Sequence, residues 1–254
     1  DDGYDVKRAA DNYTALLEDR SLFGWFNCFG TPMIEAVLPK VFASGIPFFA
    51  PYSGAMSIRA KQARNVVHIR ASYADEAEQL VQHLVTVGIR RIAIAHQANA
   101  FGKEFFTAAS KALARHQIEP VITVTVENSG ADGAAAATKL ASADPEAALL
   151  GLAGKPIIEF VRAIRQERKG LQLYALSVMG TASTIKTLGE NATGMTVAQV
   201  VPLPNNSSRA IVREFQHNWN AAAPAQEPSH IALEGYINAK AFVELLRKAG
   251  KNPT

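Results

Sequence analysis

The residues best suited to hold a small solute are hydroxyls and glycines that follow short apolar runs. Leu22 to Cys28 leads into Gly30, Thr31 and Pro32, where Thr31 is expected to cap a helix with Pro32 at its first position. Pro47 to Ala50 leads into Tyr52, Ser53, Gly54 and Ala55, a polar turn whose hydroxyl and exposed N–H groups suit a carboxylate. Similar junctions are Ser72 three residues before Asp75, with capping-box spacing, then Asn99 before Phe101, Gly154 before Pro156, and Thr181 after Ser177. Helix N-termini present free N–H groups and a positive partial charge, so the chemistry on offer is anion binding rather than bond making. Taken singly, each junction is an ordinary helix start. Together they say where a site would lie.

Signatures of catalysis and of cofactor binding are missing. Gly151-Leu152-Ala153-Gly154-Lys155-Pro156 has a Gly-Lys pair, but its glycines are too close for a phosphate loop and Pro156 stands where a magnesium-binding hydroxyl belongs. No Gly-x-Ser-x-Gly elbow surrounds Ser44, Ser53 or Ser177. The six histidines, His68, His83, His96, His116, His217 and His230, never pair at metal-ligand spacing with one another or with Cys28. No Gly-x-Gly-x-x-Gly follows a strand, and the basic run Arg162 to Lys169 is interleaved with Glu167 as on a solvated helix face. Hence neither enzyme activity, metal, cofactor nor nucleic acid is expected.

The elements that must position these residues alternate along the chain. Expected strands are Leu22 to Cys28, Pro47 to Ala50, Asn65 to Arg70, Arg91 to Ala95, Val121 to Val126, Ala147 to Leu152, Leu171 to Ser177 and Met195 to Val200. Between them Leu80, Val81, Leu84 and Val85 make one helical stripe, and Ile157, Ile158, Val161 and Ile164 another. Strand then helix, repeated with buried apolar strands, predicts α/β layers around mainly parallel sheets. Pro202 to Ser208 reads as a linker, and the longer of the two helices after it carries Ala232, Tyr236, Ala239, Val243 and Leu246 on one face.

With 254 residues the chain is long enough for one to two domains that need no disulfide or metal staples. Cys28 is the single cysteine, the net charge is +3, and 19% of residues are charged. The pI near 9.0 comes from charge spread along the chain and does not point to nucleic acid. No run approaches the ~18 apolar residues of a membrane span. Asp1 to Asp5 is turn chemistry with no strand before it, and Lys248 to Thr254 closes a helix with Gly250 and Pro253. Both ends therefore read as cut from a longer protein whose signal peptide is not in this sequence.

In order and spacing, several segments resemble the periplasmic solute-binding proteins of the branched-chain amino acid type, the receptors of ABC importers. They are Asp1-Asp2-Gly3-Tyr4-Asp5, Gly30-Thr31-Pro32, Gly45-Ile46-Pro47 with Pro51 to Ala55, Arg70 to Glu76, Gly88 to Ile94 with Phe101-Gly102, and Leu188-Gly189 with Gly194-Met195. The resemblance covers essentially the whole chain. It implies the type I fold, two Rossmann-like lobes joined by a hinge, with residues 1–71 and 199–254 in the first lobe and 72–198 in the second. It further implies a solute trapped in the interlobe cleft and handed to the transmembrane subunits of an ABC permease, with the protein itself periplasmic and without a membrane span. The family's first strand and helix would precede Asp1 and its last segments follow Thr254.

Carried over position by position, the resemblance places the ligand's carboxylate against Gly30, Thr31 and the turn Tyr52, Ser53, Gly54 and Ala55. Phe101 would close over the ligand, and the turn at Gly154 would add a contact. Ser177 stands where an acid would hold an α-ammonium group. A buried ammonium without a carboxylate costs several kcal/mol. The expected ligand is therefore a small carboxylate with an apolar body: an amino acid met by another acid such as Glu234, or an organic acid without the amine. A cytoplasmic, amide-sensor-like regulator of the same fold is the alternative, and an α/β enzyme a weaker one.

Overall fold

The structure, a computed structural model, describes residues 1–19, 21–59, 63–223 and 225–251. The described strands form two sheets, parallel throughout. The smaller consists of β1 (Trp25–Phe26), β2 (Phe48–Phe49) and β3 (Val66–Val67) in that order. The larger has β4 (Ile92–Gln97), β5 (Ile122–Val126), β6 (Ala147–Gly151), β7 (Gln172–Ala175) and β8 (Thr196–Val197), in the order β5-β4-β6-β7-β8. Every expected strand is present, and those of the smaller sheet are much shorter than their apolar runs. The backbone supplies a reason, because Asn27 and Ala50 adopt φ values of 55° and 50° one residue after β1 and β2, which ends the extension.

In the larger sheet, strand periodicity sends alternate side chains to opposite faces. Ile92, Ile94 and Leu149 meet Leu80 and Leu84 of α3 (Tyr73–Thr86) and Phe105 and Leu113 of α4 (Ala100–Arg115). Ala93, Ala95, Ala148 and Leu150 face Leu140 of α5 (Gly133–Ser142) and Ile157, Phe160, Val161 and Ile164 of α6 (Lys155–Glu167). The capping box at Ser72 forms in full, with Ser72 Oγ accepting from Asp75 N–H at 3.1 Å and Asp75 Oδ2 accepting from Ser72 N–H at 2.9 Å. The strand order is doubly wound: the connection after β4 runs outward to β5 on one side, and the connection after β6 runs to β7 on the other. That switch point opens a crevice at the carboxyl ends of β4 and β6.

The smaller sheet is built around α2 (Thr31–Ser44), against which α1 (Val6–Leu17) packs. The cap of α2 differs from expectation. Gly30, at φ 96°, is the cap residue and Thr31 is already helical, because the Thr31 hydroxyl bonds elsewhere.

Beyond α7 (Ala182–Leu188), residues 202–208 form an irregular loop ahead of α8 (Ala210–Ala222) and α9 (His230–Ala249). The buried residues of α9 are not those of its apolar stripe. Leu233, Glu234 and Asn238 are buried, whereas Ala239 and Val243 are exposed. A charged residue sits on the buried face, which an apolar stripe does not reveal. Gly250 ends α9, and Pro253 lies outside the described residues.

Candidate functional site

The carboxyl ends of both sheets face one cleft. From the smaller sheet, Phe29, Gly30 and Thr31 follow β1, Tyr52 follows β2, and Tyr73 opens α3. From the larger sheet, Phe101 lies in the first turn of α4, Ala153 follows β6, and Val178 follows β7. With Tyr4 they bound a small, partly enclosed space of about 30 Å³. An adjoining space of about 290 Å³ shares Tyr4, Phe29 and Ala153 and adds Gln97, Asn128, Gly154, Lys155 and Pro156. Its floor is cross-braced, since Gln97 Nε2 donates to Asn128 Oδ1 at 2.9 Å and Gln97 Oε1 accepts from Ala153 N–H at 3.2 Å. This second space lies at the β4/β6 switch point.

The start of α2 forms the polar end of the inner space. A Cβ on Gly30 would come within 2.2 Å of Met33 Cε and 2.9 Å of Tyr4 Cε2, so glycine is needed for space as well as for its positive φ. The N–H groups of Thr31 and Met33 have no acceptor among the described residues, as first-turn N–H groups normally do not. Thr31 Oγ1 and Ser53 Oγ share a buried hydrogen bond of 2.7 Å, and Ser53 Oγ also accepts from Ala55 N–H at 3.2 Å. Burial pushes the Tyr73 phenol up, opposed by the nearby Arg70 charge. Burial likewise pushes the phenols of Tyr4 and Tyr52 up to about 12. All three therefore remain neutral hydroxyls at physiological pH.

Of the residues singled out from sequence, Gly30, Thr31, Tyr52 and Phe101 line the inner space and Gly154 the outer one. Ser53, Gly54, Ala55 and Ser177 stand behind the walls. The turn's N–H groups are largely used internally, unlike the open turn expected: Tyr52 donates to Cys28 O at 2.7 Å, Ser53 to Pro51 O at 2.9 Å, and Ala55 to Ser53. Gly54 serves packing, because a Cβ there would lie 2.5 Å from Tyr73 Cδ1. Sequence reasoning gave no site role to Tyr4, Phe29, Tyr73, Gln97, Asn128 or Val178. Phe29 and Tyr73 directly adjoin Gly30 and the Ser72 cap, and an aromatic beside each cap was the available signal.

Behind Tyr52 lies an ionic network. Arg70 Nη1 is 2.7 and 2.6 Å from the two carboxylate oxygens of Glu234. Its Nη2 donates to Ser177 Oγ and lies 3.6 Å from Glu76 Oε1, while Ser177 N–H donates to Glu76 Oε2 at 2.8 Å. The Arg70 Cζ sits 4.6 Å from the centre of the Tyr52 ring. Burial works against the Arg70 charge, but Glu234 and Glu76 outweigh it and raise its pKa. For Glu76 burial wins over Arg70 and pushes the carboxyl up. Glu234, considered above as a partner for a ligand ammonium, is thus already engaged by Arg70.

A family model described as periplasmic binding protein matches residues 1–254. Among solved structures, a substrate-binding periplasmic protein from Ralstonia solanacearum is 28% identical with a TM-score of 0.90, over 100% of this chain and 72% of that one. A possible leucine/isoleucine/valine-binding protein from Rhodopirellula baltica SH 1 is 27% identical with a TM-score of 0.91, over 100% and 70%. A solute binding protein of an ABC transporter from R. palustris, in complex with benzoate, shares the fold at 17% identity and a TM-score of 0.81, over 92% and 64%. No curated protein matches.

Proposed function

The chain belongs to the periplasmic binding protein family, and from that premise we propose that it is the extracytoplasmic receptor of an ABC importer for a small carboxylate with an apolar body. Its relatives are binding proteins rather than enzymes, and no helix among the described residues is long and apolar enough to cross a membrane. The observation that carries the reading is the two-sided cavity: the free N–H groups and hydroxyls at the start of α2 face Phe101, Ala153 and Val178 from the other sheet. One end offers donors to a carboxylate and the other offers apolar surface.

In this reading residues 1–71 with 199–254 form one lobe and 72–198 the other. The placement of β1 to β3 wholly in the first segment and β4 to β8 wholly in the second supports it. The lobes close about the crossing near Arg70 and Ala71, trap the solute, and present the closed form to the permease subunits. The ligand class is that of apolar amino acids, branched-chain ones included, and related organic acids.

The reading is tested by thermal-shift and calorimetric titration of the full-length protein with a panel of amino acids and organic acids. A saturable rise in melting temperature with at least one carboxylate is expected. No response to any carboxylate contradicts it.

A further inference from the structure

We infer that the ligand of this cleft carries no ammonium group: it is an amine-free carboxylate with an aromatic or similarly flat apolar body. The inference rests on the carboxylate-receptor reading and narrows it.

The first ground is the charge of the lining. Among the described residues that bound the two spaces there is no Asp or Glu, and Lys155 is the one charged side chain. The remaining polar groups at the inner end are the start of α2 and the hydroxyls of Thr31, Tyr52 and Tyr73, which are neutral and suited to an anion. An α-ammonium held in the same space would lie close to these donors with no carboxylate to receive it. That is an unpaired buried charge, which proteins avoid.

The second ground is the use made of the neighbouring acids. Glu234 and Glu76 are both buried, and both converge on Arg70 rather than on the cavity. Both oxygens of Glu234 lie within hydrogen-bond distance of Arg70 Nη1. Glu76 gives one oxygen to Ser177 N–H; its other has no hydrogen-bond donor among the described residues and points to Arg70 at 3.6 Å. Arg70 in turn packs on the Tyr52 ring that lines the cavity. Glu76 and Glu234 are therefore spent on a resident guanidinium, one ring away from where a ligand amine would need them. Asp2, beside the lining, uses Oδ1 to accept the N–H of Tyr4 at 2.8 Å.

The third ground is shape. Phe29 stacks on Tyr52 with ring centres 5.3 Å apart at 28°, and Phe101 meets Tyr73 edge-on at 5.3 Å and 73°. Two aromatic pairs in the lining present ring faces and edges to the space, an arrangement suited to a flat ligand.

The test is calorimetric titration of the full-length protein with matched pairs that differ only in the α-amine: 3-phenylpropanoate against phenylalanine, 4-methylpentanoate against leucine, and the tightest acid of the wider panel against its 2-amino counterpart. The amine-free member of the tightest pair is expected to bind at least about 100-fold more strongly, in keeping with an unpaired buried charge. If the tightest ligand carries an α-ammonium, or if the two members of its pair bind alike, this inference is overturned while the carboxylate-receptor reading stands. If no carboxylate binds at all, the receptor reading falls and takes this inference with it.

Discussion

Arg70 and Glu234, 164 positions apart in the chain, meet with Nη1 2.6 and 2.7 Å from the two carboxylate oxygens, and their side chains are only 2% and 6% exposed. The pair ties the segment leaving β3 to helix α9, and through Ser177 and Glu76 to the larger sheet. Replacing Arg70 by Met leaves Glu234 buried without its partner, which is expected to cost about 3–5 kcal/mol in urea unfolding. The double change Arg70→Met, Glu234→Leu should recover part of that loss, because it removes the Glu234 charge and leaves Glu76 as the one acid facing the vacated position. Equal stability of single and double variants would contradict the assignment.

Thr31 and Ser53 share a buried hydrogen bond and so are coupled as well as close. Thr31→Val keeps the shape, removes the hydroxyl, and should lower stability by about 1–2 kcal/mol while weakening carboxylate binding. Adding Ser53→Ala should cost less in the Thr31→Val background than alone, with an interaction energy of about 0.5–3 kcal/mol. Strict additivity in thermal melts would show that the two hydroxyls act separately.

Gly30→Ala places a methyl group against Met33 and Tyr4 at a positive φ of 96°. A loss of about 1–3 kcal/mol is expected from backbone strain alone. Ligand affinity should fall with it, since Tyr4 must move out of the cavity wall. Calorimetry that found Gly30→Ala unchanged in affinity would place the carboxylate somewhere other than the start of α2.

His68, just after β3, is held down from 6.5 to about 4 by burial, assisted by Arg59. The unfolded chain therefore binds a proton in the range where the folded chain does not, and stability rises with pH between about 4 and 6.5. As pH falls from 6.5 this contribution is lost, and by about pH 4 the loss is complete. His68→Gln should flatten that part of the stability profile relative to the wild type. The raised carboxyl of Glu76 acts with the opposite sign and is common to both proteins, so the difference isolates His68.

The sheets were legible because buried strands need unbroken apolar runs, and Ile92 to Ala95 or Ala147 to Leu150 can hardly be anything else. The caps at Ser72, Asn99 and Thr181 were legible because capping is local: each side chain accepts from an N–H within three residues. Thr31 misled for the converse reason. Its hydroxyl answers to Ser53, 22 residues away, and no local rule contains that distance. The buried face of α9 was not legible, because Glu234 is buried by a partner 164 positions off. Phe29, Tyr73 and Val178 reached the site by how three separate junctions converge, which spacing along a chain does not encode.

The central claim is that the cleft between the two sheets holds a carboxylate at the start of α2, and a crystal structure of the protein saturated with its tightest ligand tests it most directly. Density for a carboxylate within about 3 Å of Thr31 Oγ1 and of the first N–H groups of α2 is the expected result, with the apolar body between Phe29 and Phe101. A saturated protein whose ligand lies outside this cleft, or whose carboxylate points toward Gln97 and Lys155 with the start of α2 unoccupied, would contradict it.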